Sequence, residues 1–239
     1  MFMIYKTDLS PNFSKKKRLN RSIKFVIIHY TGMQSEIESI KRLKSRFYKV
    51  SCHYLINRVG EIIRMVEDNR VSWHAGKSKW KRFINLNEKS IGIELVNKGH
   101  AFGYQKFSNK QINSLIKLCL QLKKKYKIKK ENFLGHSDIS PLRKIDPGEK
   151  FPWKKLSKFK IGLWYKKIKK KQSNNSQLKI KIFYKNLHKI GYRYFKISQR
   201  HKNDCFVIKA FQRKYLPNFV TGKLNRKTME ICHFLATYK

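Results

Sequence analysis

The chain has 239 residues, room for one medium domain or for one plus a small companion, and its 41% hydrophobic and 13% aromatic content supports a packed core. No run of about 18 apolar residues occurs, which excludes a transmembrane helix. The 57 Lys+Arg against 14 Asp+Glu give a formal charge of +43, which either attracts a polyanion (nucleic acid, anionic lipid or cell-wall polymer) or reflects an AT-rich coding bias, since lysines are spread along the whole chain.

The start, Met1 to Asp8, lacks a long apolar segment, so no signal peptide is read. A cytoplasmic location is expected; a cell-envelope location is the alternative if the true start lies upstream. Residues 1–24 form a polar, basic arm with the charge run Lys15 to Arg18. Phe25-Val26-Ile27-Ile28-His29 is an apolar, β-branched run that reads as a buried strand delivering His29 at its end. Ser35 and Glu38 fit a capping box, and Ile37, Ile40, Leu43 and Phe47 follow at helical spacing, as for a helix packed on a sheet. Residues 53–57 and 61–66 flank Arg58-Val59-Gly60 and predict a β-hairpin with Gly60 in the turn. His53 either lines a cleft or makes a structural hydrogen bond. Trp73-His74-Ala75-Gly76 lies in an aperiodic segment; Trp73 either plugs the core or meets a ligand.

Ser90 to Asn97 alternates, with Ile91, Ile93 and Leu95 on one face and Ser90, Gly92, Glu94 and Val96 on the other. Glu94 either faces water on an edge strand or sits beside a cation that relieves its burial. A second capping pattern, Ser108 to Gln111, opens a helix with the stripe Ile112, Leu115, Ile116, Cys119 and Leu122. Pro141, Pro147 and Gly148 then cut the stretch Gly135 to Gly148 into turns and predict a loop that is neither helix nor strand. This loop carries His136, Lys144 and Asp146. Residues 166–176 read as a basic linker. Beyond it, 177–239 predict three helices, the first ending at Gly191, the second over Phe206 to Arg213 and the third over Thr228 to Leu235.

Cys52, Cys119, Cys205 and Cys232 are isolated, which argues against a thiolate metal cluster or a disulfide framework. His29, His136 and Asp146 offer two imidazoles and a carboxylate, a donor set that suits a catalytic zinc ion with one open position. Their wide separation in sequence is not a zinc-finger spacing.

Four segments occur in order: His29-Tyr30-Thr31, Trp73-His74-Ala75-Gly76, Ser90 to Asn97, and Gly135-His136 through Asp146-Pro147-Gly148. Together, over roughly residues 9–160, the chain resembles the zinc-dependent N-acetylmuramoyl-L-alanine amidases related to peptidoglycan-recognition proteins. The resemblance implies an α/β fold with a central mixed sheet flanked by helices over residues 1–165. Ala210 to Arg213, Gly222 and Thr228 resemble a three-helix peptidoglycan-binding module, implying a small all-α domain over 177–239. It further implies Zn(2+) held by His29, His136 and Asp146, Glu94 as proton-transfer residue and Lys144 over the developing oxyanion. Trp73, His74, Ala75 and Asn97 are implied as substrate contacts. The expected partners are peptidoglycan or muropeptides; no specific nucleic acid is expected, and the chain is expected to be a monomer. The alternative is a non-catalytic peptidoglycan-recognition protein, which would lack a ligand or the glutamate.

Overall fold

A computed structural model describes residues 6–166 and 176–237. Its elements, in chain order, are β1 (Lys6–Thr7), β2 (Phe13–Ser14), β3 (Phe25–Tyr30), α1 (Glu36–Lys44), β4 (Tyr54–Ile56), β5 (Ile62–Arg64), β6 (Val71–Ser72), β7 (Lys79–Trp80), β8 (Phe83–Ile84), β9 (Ser90–Leu95), α2 (Asn109–Tyr126), β10 (Phe133–Gly135), α3 (His136–Ile139), α4 (Trp153–Ser157), α5 (Ser176–Ile190), α6 (Asp204–Tyr215) and α7 (Arg226–Thr237). Six strands form one mixed sheet in the order β1-β5-β4-β9-β3-β10. Only β4 and β5, joined through the turn at Gly60 (φ +91°), pair antiparallel within it. The α/β fold class with a mixed central sheet and flanking helices is therefore as the sequence implies.

The strand alternation decides which face does what. Val26 and Ile28 of β3, with Ile91, Ile93 and Leu95 of β9, pack against Ile112, Leu115, Cys119 and Leu122 of α2. Phe25 and Ile27 point the other way, into a layer shared with α5, α6 and α7. In the parallel register Phe25 pairs with Ser90, Ile27 with Gly92 and His29 with Glu94. Side-by-side residues of paired strands share a face. His29 and Glu94 therefore project together onto the face opposite α2.

Several local expectations need correction. The Ser35–Glu38 capping box is formed, but α1 stops at Lys44. Phe47 falls beyond it and is 85% exposed, and Ile37 is 66% exposed; Leu43 and Ile40 carry the contact with the sheet. Ser108 accepts from the Gln111 amide as expected, yet the Gln111 side chain does not close the box. It is buried and donates instead to the carbonyls of Ile56 and Val96, tying α2 to the sheet. The stretch 135–148 is not wholly irregular: β10 runs through Gly135, and α3 begins with His136.

The linker expected over 166–176 lies, apart from its two ends, outside the described residues. The helices after it form where expected, and α5 is followed by Gly191 at φ +143°. Their inner faces pack on the sheet itself: Phe183, Leu187, Val207, Phe211 and Leu235 share a core with Phe25, Ile27 and Leu134. A buried ion pair crosses this boundary. Lys214 Nζ lies 2.7 Å from Asp138 Oδ2, and Tyr192 donates to Asp138 Oδ1 at 2.5 Å. The same carboxylate accepts from the Gly135 amide at 2.8 Å, holding the turn that presents His136.

Candidate metal-dependent active site

Three chain segments converge where β3 ends. His29 comes from β3, His136 opens α3, and Asp146 returns from the loop after it, its carbonyl accepting from the Ser137 amide at 2.9 Å. Gly135 permits this return, because a Cβ there would meet Pro147 Cδ at 2.7 Å. His29 Nδ1 lies 3.0 Å from His136 Nδ1 and 3.0 Å from Asp146 Oδ2, and the last pair is 3.1 Å apart. All three side chains are buried, and among the described residues they form the one group of His, Cys, Asp or Glu side chains able to share a metal ion.

Their chemistry fits a cation. The His136 Nε2 atom is 3.2 Å from the Ala75 carbonyl, which only accepts, and 3.4 Å from Arg143 Nη2, which itself donates to that carbonyl; the shorter contact favours the proton on Nε2. His136 Nδ1 then turns a lone pair toward a carboxylate and a second imidazole. Burial, and next the neighbouring His136, pull the His29 pKa down to about 4, so a neutral, ligating form is favoured. Against the upward push of burial, the two imidazoles hold the Asp146 carboxyl well below the usual carboxylate range.

The cluster forms the floor of a cleft of about 330 Å³, lined also by Glu94, Lys144, Trp73, Arg42 and Arg143. Glu94 Oε2 is enclosed and has no hydrogen-bond partner. Burial, reinforced by Asp146 and opposed by Lys144, raises the Glu94 pKa to about 8. A carboxylate held in this way beside a donor set for a cation is suited to taking and returning a proton.

The sequence-derived substrate contacts divide. Trp73 lines the cleft, with its indole N–H donating to Ser14 Oγ at 3.2 Å. His74 reaches the cleft wall but is 7% exposed, and both ring nitrogens are engaged inside the protein, by His29 and Ser90. Ala75 is fully buried in the core shared with the C-terminal helices. Asn97 is also away from the cleft; its amide binds the Gln105 carbonyl and its oxygen accepts from Gly99, closing the following loop. His53 proves structural, accepting at Nδ1 from the Gly92 amide at 3.0 Å. Arg42 and Arg143 were not singled out from sequence. Arg143 stands next to Lys144 in the same loop, and that adjacency was the available signal.

The family model described as N-acetylmuramoyl-L-alanine amidase matches residues 19–149, more than half of the chain. The N-acetylmuramoyl-L-alanine amidase AmiD of Escherichia coli is 32% identical over 230 residues, spanning 89% of this chain and 82% of AmiD. The 1,6-anhydro-N-acetylmuramyl-L-alanine amidase AmpD of Haemophilus influenzae is 35% identical over 61% of this chain and 86% of its own length. The solved complex of AmiD from Escherichia coli with the substrate anhydro-N-acetylmuramic acid-L-Ala-D-gamma-Glu-L-Lys superposes with a TM-score of 0.79 at 30% identity, covering 93% of this chain and 91% of that one. AMPDH3 from Pseudomonas aeruginosa superposes with a TM-score of 0.77 at 27% identity over 98% of both chains. The family match, the relatives' identity and the superposition thus agree, and the chain belongs to the N-acetylmuramoyl-L-alanine amidase family.

Proposed function

We propose that this chain is a zinc-dependent hydrolase cleaving the amide between N-acetylmuramoyl, or anhydromuramoyl, residues and L-alanine in peptidoglycan or its fragments. One observation carries the reading beyond family membership: the partnerless Glu94 Oε2 lies in the same cleft as the His29, His136 and Asp146 donor triangle. A recognition protein has no need of a carboxylate oxygen enclosed without a partner beside such a triangle. Zinc held by these three side chains would polarise the scissile carbonyl and acidify water, the two demands of an unactivated amide. Glu94 takes a proton from the attacking water and delivers it to the leaving amine. The Lys144 ammonium faces the same cleft and balances charge that develops on the carbonyl oxygen. Arg42 and Arg143 add positive charge to the cleft, complementary to carboxylates of a stem peptide.

The division into a catalytic part (1–165), a linker and a peptidoglycan-binding-like part (177–239) belongs to this proposal. It is supported by the match to AmiD, which spans 89% of the chain, whereas that to AmpD spans 61%. The test is chromatographic release of the peptide from an anhydromuramoyl-peptide by zinc-loaded protein, repeated after chelation and zinc restoration. Release that survives verified metal removal, or no release from zinc-loaded folded protein, overturns it.

A further inference from the structure

We infer that the His74–Ala75 dipeptide is a clamp that sets which nitrogen of each metal-facing imidazole carries its proton, making His74 a positioning residue of the metal centre. The inference rests on the proposal that His29, His136 and Asp146 hold zinc.

The proton placement follows from a chain of contacts with one fixed end. Ser90 Oγ donates to the Leu86 carbonyl at 2.6 Å, which uses its only hydrogen. Ser90 Oγ can therefore only accept from His74 Nε2, 3.1 Å away, so that nitrogen is protonated. His74 is buried and its ring nitrogens meet only His29 and Ser90, with no carboxylate to balance a charge, so the ring is neutral and its Nδ1 is bare. His29 Nε2, 3.0 Å from that Nδ1, must then donate to it, and His29 Nδ1 is left with a free lone pair. This is the atom that faces His136 and Asp146. The next residue favours the same form of the other imidazole: the Ala75 carbonyl, which also accepts from Arg143 Nη2, faces His136 Nε2 at 3.2 Å, nearer than Arg143 Nη2 at 3.4 Å, and so leaves His136 Nδ1 free.

The clamp is itself held. Asn87 Oδ1 accepts from both the His74 and the Ala75 amides, at 3.1 and 2.7 Å, and fixes the dipeptide backbone. Gly92 supplies the space, because a Cβ there would stand 2.3 Å from His74 Cγ. Ser90, Gly92 and Glu94 are alternate residues of β9 and share one face. One strand thus anchors His74, leaves it room and supplies the cleft carboxylate. Such outer partners orient metal-binding imidazoles and raise their basicity.

The test compares His74→Phe, His74→Gln and Ser90→Ala with the parent, reading zinc affinity by chelator competition and the histidine ring N–H signals by 1H–15N NMR of zinc-loaded protein. In His74→Phe zinc affinity should fall about 10- to 100-fold, and the slowly exchanging His29 Nε2–H signal should disappear. His74→Gln should recover most of both, because its amide oxygen accepts and its nitrogen donates. Ser90→Ala should weaken zinc by a smaller factor and lose the single protonated form of His74. If His74→Phe does not fold, judged by circular dichroism, Ser90→Ala and His74→Gln decide. Parental zinc affinity with a still protected His29 N–H in His74→Phe, or an unchanged His74 spectrum in Ser90→Ala, overturns the clamp. A His74 change that raises only the KM for muropeptide would make it a substrate contact. Neither zinc affinity nor the spectra need substrate, so a protein with an intact clamp that fails to cleave muropeptide faults the amidase reading alone.

Discussion

Replacing Glu94 by glutamine should separate what the residue does for chemistry from what it costs the fold. Its carboxyl pKa rises from the ordinary 4.5 to about 8, through burial first and Asp146 second. Between those values the folded, metal-free protein keeps a proton that the unfolded chain has released. Native stability therefore falls as pH rises through this window, and the loss is complete above about pH 8. At about 1.4 kcal/mol per pH unit the gap amounts to roughly 4–5 kcal/mol, an upper bound because part of Glu94 faces the open cleft. Glu94→Gln has no proton to lose there. Its stability relative to the parent should climb with pH by a few kcal/mol and then level off. Urea melts of both proteins under chelator, at about pH 5, 7 and 9, read the difference directly. Turnover of the zinc-loaded variant should fall by about 10²- to 10⁴-fold while zinc stays bound. A stability difference that is the same at the lowest and highest pH would falsify the account of a buried, partnerless carboxylate.

The ligand set makes its own demand: His29→Ala, His136→Ala and Asp146→Ala should each lose zinc, since three ligands leave no redundancy. Stoichiometric zinc in any of them, by elemental analysis of dialysed protein, removes that side chain from the set. Lys144→Ala should keep zinc and lose roughly 10²- to 10³-fold in kcat; an unchanged kcat means its ammonium does not meet the developing oxyanion. Lys214→Met strands the Asp138 carboxylate, 0% exposed at its side chain, and should cost about 3–5 kcal/mol in denaturant unfolding. A cost under about 1 kcal/mol would show that water reaches Asp138 in the variant.

The parts of the fold read from local pattern are those that rest on local physics. The continuous apolar run Phe25 to His29, buried on both faces, the alternation Ser90 to Leu95 and the Gly60 hairpin each appear where the sequence places them. The candidate metal-binding triangle was legible because His29, His136 and Asp146 fall within motifs that occur in the family's order, His29 near the end of β3, His136 opening α3 and Asp146 in the turn that follows. His74 lines the cleft, but its inner partners, His29 and Ser90, are 45 and 16 residues away, and no period in its own segment records them. Phe47 reads as part of a helical stripe, but hydrophobic spacing does not mark where a helix stops. The three C-terminal helices were visible from the Gly191 stop and the resemblance of Ala210 to Thr228 to a three-helix module. What their apolar faces rest against was not, because a buried helix face does not name its neighbour in sequence.

The contact of Lys214 and Tyr192 with Asp138 bears on how the two halves of such a chain can change. A deletion of 176–237 removes any grip these helices have on polymer and, at the same stroke, the groups that neutralise a carboxylate two residues from His136. Lost cleavage of insoluble wall in a truncated protein would therefore not report attachment. Substitution of Phe206 or Phe219, both on the solvent side of the helical part, probes attachment without disturbing the ion pair. The same link constrains inheritance. A descendant that shed α5–α7 would have to alter residue 138 or bring another donor to it, so positions 138, 192 and 214 are free to change together more readily than singly.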